Sequence, residues 1–239
     1  MQKLSVAVMN FSGNVGKTTV ARHLLAPRIP GSRVVSVETI NADGLESKTI
    51  KGDRFSQLQE YMLSGASVVV DIGASNVEAF LAAMDKFAGS HLDFDFFVIP
   101  TTSKEKQQMD TIATLLELSE RGIAADRILV VFNMVDHPDE IEEDFAAVLN
   151  FLRSKPIAIC KPDWVITTNE IFTLARNADG SLAQIQDLAE DQTDYKRLIA
   201  QTDDSDERIR LARRLGTTRL ARGMVTKLDD CFEAMGLHD

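Results

Sequence analysis

Cysteine is scarce in this chain: Cys160 and Cys231 are the only two among 239 residues, far apart and outside any Cys-x-x-Cys spacing. That argues against a disulfide framework and against a zinc site, and both read as ordinary thiols in a reducing compartment. Long apolar runs are missing as well. Nothing approaches the roughly 20 residues needed to cross a bilayer. The stretch from Leu4 to Met9 is too short for an export signal and has no cleavage site after it. A cytoplasmic protein without membrane insertion is expected. Internal repeats and low-complexity linkers are also absent. With 44% hydrophobic and 26% charged residues, the composition is that of a globular protein. A net charge of -10 gives no overall attraction to nucleic acid. One stretch runs against that charge. From Arg208 to Lys227 there are seven basic residues and no acidic one.

The hydrophobic pattern alternates between two element types. Leu4 to Met9 suits a short strand buried on both faces, ending at Asn10, and Thr18 to Ala26 has helix-forming composition stopped by Pro27, Pro30 and Gly31. Further strands are expected at Val34 to Val37, Val68 to Val70, Phe94 to Ile99 (ended by Pro100), Ile128 to Phe132 (ended by Asn133) and Ile157 to Ile159. Helices are expected between them at Phe55 to Leu63, Val77 to Phe87, Lys104 to Arg121 and Pro138 to Arg153. Strands that alternate with helices pair in parallel, because a crossover needs a helix between neighbours. The expected fold is therefore α/β, a doubly wound, mainly parallel sheet. From Asn169 onward the pattern is helical only. The chain reads as a single domain over 1–239, with residues 188–239 a helical C-terminal extension.

The segment Phe11-Ser12-Gly13-Asn14-Val15-Gly16-Lys17-Thr18-Thr19 lies directly between the first strand and the first helix. That is the context a phosphate-binding loop requires. Backbone N–H groups of Gly13, Asn14, Val15 and Gly16 would converge on phosphate oxygens, the glycines permitting the close approach. Lys17 would reach the β- and γ-phosphates of ATP, the Thr18 hydroxyl would enter the Mg²⁺ shell, and Thr19 would bond the α-phosphate. Asp71, after Val68-Val69-Val70, is the expected second metal-shell group, emerging at the carboxyl edge of the sheet. Gly73 then offers an N–H that could sense the γ-phosphate.

These residues, with an acid at Glu38 after the second strand and Asn133 after the fifth, resemble the ParA/MinD group of deviant Walker A ATPases over roughly Met1 to Asp187. Within it the chain looks closest to the plasmid stability and conjugal-transfer ATPases of the StbB/TraL kind. The resemblance implies ATP and Mg²⁺ as cofactors, slow or partner-stimulated hydrolysis, and a partner protein of a plasmid maintenance or transfer system. Catalytic roles carry over to Lys17, Glu38 and Asp71. The family's second acid on that strand is replaced by Ile40, and Asp43 or Asn41 would substitute for it. Ser12 stands where the family has a lysine that reaches across a dimer, and Asn14 replaces a glycine but tolerates the left-handed region. The expectation that follows from Ser12 is a protein that is monomeric with ATP or dimerises through another face.

Asn133 is expected to read the nucleotide base, and Asn133-Met134-Val135-Asp136 half-matches a guanine motif whose lysine is missing here, which favours ATP. Pro162 and Asp163 sit where the family often contacts the base. His23 reads as a packed or solvated histidine. The arginine run has two readings, contact with DNA phosphates or an amphipathic helix with one solvated face. Two other functions stay open: a metabolic P-loop ligase or kinase of the same fold, and a nucleotide-binding scaffold without turnover.

Overall fold

A computed structural model describes residues 3–37, 52–63, 65–175 and 183–237. The chain divides into two compact units, one of Met1–Thr168 with Cys231–Asp239, the other of Asn169–Asp230.

The first unit is built on one six-stranded sheet. Its strands are β1 (Ser5–Val8), β2 (Arg33–Ser36), β3 (Val68–Asp71), β4 (Phe96–Thr101), β5 (Ile128–Val135) and β6 (Ile159–Thr167). The order is β2-β3-β1-β4-β5-β6 and every pairing is parallel. Strands β1 and β3 are buried along their whole length, which is why they read as unbroken small and β-branched runs. The helices are α1 (Lys17–Thr19, running on as a π-helix over Val20–Leu25), α2 (Gly52–Leu63), α3 (Val77–Lys86), α4 (Glu105–Glu120) and α5 (Ala146–Ser154). A chain of rings, Phe55 to Phe80 to Phe94 to Phe97, with centroids 5.3 to 5.8 Å apart, joins α2 and α3 to the sheet. The strand order reverses at β1, whose neighbours β3 and β4 lead off in opposite directions. The carboxyl end of β1 is therefore the switch point where open α/β sheets bind ligands.

Three boundaries differ from the sequence reading. Pro100 lies inside β4 rather than ending it. Residues two apart on a strand turn their N–H and C=O to the same side. Val98 O accepts from Met9 N at 3.2 Å, so Pro100 faces the same edge, where β1 has already turned into the loop. The missing N–H therefore costs no ladder bond. Strand β5 likewise continues through Asn133 to Val135. Where β5 advances from Val130 to Phe132, β6 advances from Cys160 to Val165, so four residues of β6 lie opposite Val131 alone and β6 is longer than expected, with a bulge at Pro162 and Asp163. The single helix expected from Pro138 to Arg153 is broken into a 3-10 turn (Pro138–Glu140) and two helices that meet at Phe145, which is fully buried.

The second unit is helical, as the pattern from Asn169 onward implies. It holds α6 (Ile171–Leu174), α7 (Ile185–Glu190), α8 (Tyr195–Gln201) and most of α9 (Ser205–Met235). No described helix is long and apolar enough to cross a membrane.

Candidate nucleotide site

The loop from Phe11 to Gly16 leaves β1 at the switch point and enters α1. Two of its residues take the left-handed region, Asn14 at φ 57° and Gly16 at φ 81°. Asparagine bears that conformation better than most side chains, so Asn14 keeps a turn in which glycine is usual. Gly16 has no substitute. A Cβ there would lie 2.0 Å from Asn133 Nδ2. Among the described residues the N–H groups of Gly13, Asn14, Val15 and Gly16 make no hydrogen bond. Consecutive free amides in a loop of this shape form an anion nest.

The charged group and the oxygen donors meet at the loop's far end. Lys17 is 8% exposed and its ammonium donates to Ser12 O at 2.6 Å, curled over the loop. The Thr18 hydroxyl donates to Asp71 Oδ2 at 2.7 Å, across 53 positions of sequence. Register explains the meeting: β3 lies beside β1 with Asp71 opposite Val8, and Ile72 N donates to Val8 O. A hydroxyl and a carboxylate side by side, both oxygen donors, suit Mg²⁺, which takes one or two protein ligands and fills its octahedron with water and phosphate oxygens. The donor set thus fits the metal. Glu38, Asn41 and Asp43 lie outside the described residues.

Asn133 reaches the same loop by a different contact. Its side chain is 2% exposed, and Nδ2 donates to Val15 O at 2.8 Å, so the carboxamide clamps the loop from β5. Met134 follows at φ 57° and 45% exposed, turned outward where the β5–β6 register shifts. Pro162 and Asp163 are exposed in the β6 bulge, and no described hydrogen bond joins them to the loop.

The sequence reading overlooked the loop's buried support. Asn10, fully buried, accepts from Ser12 N at 2.8 Å through Oδ1. Its Nδ2 donates to Pro100 O at 3.0 Å and to Thr111 Oγ1 at 2.8 Å. Phe11 N donates to Thr114 Oγ1 at 3.1 Å. An unsatisfied buried polar group costs about 1–3 kcal/mol, so each partner here is needed. The available signal was a pair of threonines three apart on the buried face of α4, where leucines would be ordinary.

Burial, then the charges of Arg22 and Arg28, lowers His23 to about 4, so the imidazole is neutral at pH 7. Burial pushes the thiols of Cys160 and Cys231 up to about 12, which leaves them protonated and unreactive. In the second unit a cleft of about 750 Å³ is lined by Arg210, Arg213 and Arg214 with Leu188, Tyr195 and Ile209. Among the run's arginines, several are tied within the unit. Arg208 donates to Thr202 O, Arg210 pairs with Glu207 at 2.5 Å, and Arg222 donates to Ala189 O and Asp191 O.

No family model matches this sequence, and no curated protein matches it. Solved structures do resemble it along nearly the whole chain. A MinC:MinD cell division complex from Aquifex aeolicus aligns with TM-score 0.55 and 12% identity, over 99% of this chain and 97% of that one. The pNOB8 ParA structure gives 0.54 and 8%, over 98% and 99%. An ATP complex of a McdA variant from Cyanothece gives 0.50 and 15%, over 99% and 98%. With its six parallel strands, the loop from Phe11 to Gly16 at the switch point and its helical C-terminal segment, the chain has the fold of the ParA/MinD P-loop ATPases.

Proposed function

We propose that this protein binds and slowly hydrolyses ATP as a molecular switch of the ParA/MinD type, acting through a partner in plasmid maintenance or conjugal DNA transfer. The observation that carries the reading is the Thr18–Asp71 contact of 2.7 Å beside a loop over which Lys17 is curled and whose amides from Gly13 to Gly16 make no hydrogen bond among the described residues. In this reading the amides of Gly13 to Gly16 and Lys17 hold the triphosphate, and Thr19 bonds the α-phosphate. Thr18 and Asp71 would hold Mg²⁺, whose charge would offset the negative charge on the phosphate oxygens. Asn133 fixes the loop and borders the base, Pro162 and Asp163 contribute to the base side, and Glu38 and Asp43 position the attacking water. The finer likeness to StbB/TraL ATPases rests on the sequence motifs alone.

Ser12 favours a switch without the usual sandwich dimer. It is 4% exposed, with its N–H on Asn10 and its carbonyl on Lys17, so it offers no charge to a facing subunit. Closing two subunits over two ATP molecules would then meet repulsion of several kcal/mol at charges a few ångströms apart, for an effective dielectric near roughly 20. A partner protein is the favoured regulator. DNA is the second, through Arg213, Arg214 and Arg219, which are exposed and make no salt bridge among the described residues. Steady-state phosphate release, measured alone, with DNA and with partner proteins, tests the activity. Stimulated release supports the switch, while no release under any of these conditions overturns it in favour of a scaffold. Sedimentation with ADP and a non-hydrolysable ATP analogue tests the dimer. A clean ATP-dependent monomer-to-dimer shift, lost when an arginine near the loop is replaced, would overturn the role given to Ser12.

A further inference from the structure

We infer that Asn10 is a positioning residue of the phosphate loop and that, through Thr111, it makes helix α4 sense whether the loop is filled. The inference rests on the nucleotide reading of that loop.

One unbroken hydrogen-bonded path carries it. Lys17 holds Ser12 O at 2.6 Å, and the N–H of that same residue is held by Asn10 Oδ1 at 2.8 Å. Asn10 Nδ2 then donates to Thr111 Oγ1 at 2.8 Å, and this hydroxyl lies 2.7 Å from Gln107 O, one turn back on α4, and 2.9 Å from the Thr101 hydroxyl on β4. Asn10, Thr101 and Thr111 are each fully buried, so water does not compete for these bonds. A second strut runs parallel to the first, from Phe11 N to Thr114 Oγ1. The entry of the loop is thereby pinned to α4, while the amides from Gly13 onward are left for phosphate. A triphosphate competes with Ser12 O for the Lys17 ammonium. Loosening that bond frees the carbonyl of Ser12, a residue whose N–H is fixed on Asn10, so the change is passed to Thr111 and not to solvent. Coupling of this kind needs a contiguous network with defined partners, and the path supplies one.

The test is calorimetric titration of Mg-ATP into the full chain and into Thr111→Val, Thr111→Ser, Asn10→Ala and the Asn10→Ala/Thr111→Val pair. Thermal melting of each and hydrogen exchange over α4, with and without a non-hydrolysable ATP analogue, accompany it. Thr111→Val, which keeps the shape and removes the hydroxyl, is expected to weaken ATP about tenfold, with Thr111→Ser restoring it. The double variant should bind no worse than Asn10→Ala alone, because both act in one path. The analogue should slow exchange across α4 in the wild type and in Thr111→Ser, and leave it unchanged in Thr111→Val. Variants that melt lower yet bind ATP like the wild type, or losses of affinity that add, overturn the inference. Should Asn10→Ala fail to fold, the two Thr111 variants decide it. A wild-type chain that binds no Mg-ATP overturns the nucleotide reading itself, and this inference with it.

Discussion

The phosphate loop and the arginine run are both rich in chemistry, and they use their polar groups in opposite ways. Around the loop, polar side chains from five separated elements converge: Asn10 after β1, Thr18 on α1, Asp71 on β3, Thr111 on α4 and Asn133 on β5. The sheet and the helices packed on it hold them, and most are buried. In the arginine run, three guanidinium groups turn to neighbours close in sequence, as Arg208 does to Thr202 and Arg210 to Glu207, or to backbone carbonyls of the same unit, as Arg222 does, while Arg213, Arg214 and Arg219 are exposed. Convergence from distant elements marks a site, because such an arrangement survives only where the fold enforces it. Local satisfaction of charge marks a helix surface.

The comparison breaks most sharply at Lys17. Lys17→Ala should lower Mg-ATP affinity by at least ~100-fold in calorimetric titration, since it removes the one side-chain cation curled over the loop. Retained micromolar affinity would put the loop on a par with the arginine run. Next comes Gly16→Ala, where the new methyl meets Asn133 at 2.0 Å in a left-handed residue. Destabilisation of about 2 kcal/mol is expected by thermal unfolding, together with lost nucleotide binding. An unperturbed melting curve would mean that the clamp from Asn133 yields freely.

Asp71→Ala sharpens the metal assignment. Affinity should drop about tenfold more in Mg²⁺ than in EDTA, a difference near 1.4 kcal/mol. Equal losses in both conditions would reduce Asp71 to a structural acceptor for Thr18. In the second unit the effects shrink. Arg222→Ala should cost under about 1 kcal/mol in urea unfolding, for two hydrogen bonds made at an exposed position. Arg213→Ala should change stability less than that, and a larger loss there would give the run a structural role it does not show.

Smallest of all is a shift in titration. Hydrogen bonds from Thr193 and Tyr195 hold the Asp191 carboxyl at about 2 against an ordinary 3.8. A lowered folded value means that its contribution to stability is present above 3.8 and is lost as pH falls through about 2. Tyr195→Phe removes the 2.5 Å bond and should move the carboxyl resonance of Asp191 to titrate at higher pH in NMR. No movement would show that Thr193 alone sets it.

Most of the architecture was legible along the chain, since parallel strands buried on both faces read as Val-rich runs and helices lay between them. What misled the boundaries was chemistry that depends on neighbours. Pro100 would stop a strand paired on both sides, but its bare nitrogen faces the edge that β1 has vacated. Asn133 read as a strand end because nothing in its own sequence tells that β6 continues beside it with a bulge.

By itself the sequence determined the strand, loop and helix around Phe11 to Thr19, because the proposed phosphate contacts are made by backbone amides and by residues adjacent to one another. Phe11 to Thr19 needs only the strand before it and the helix after it to take its shape. Only the tertiary structure decided which distant groups serve that loop. Asp71 comes to Thr18 through the pairing of β3 with β1, Asn133 to Val15 through β5, and Thr111 to Asn10 through the packing of α4 beside β4. These contacts span from 53 to 118 positions, and register between strands and the packing of a helix on the sheet set them, quantities no local pattern of residues contains.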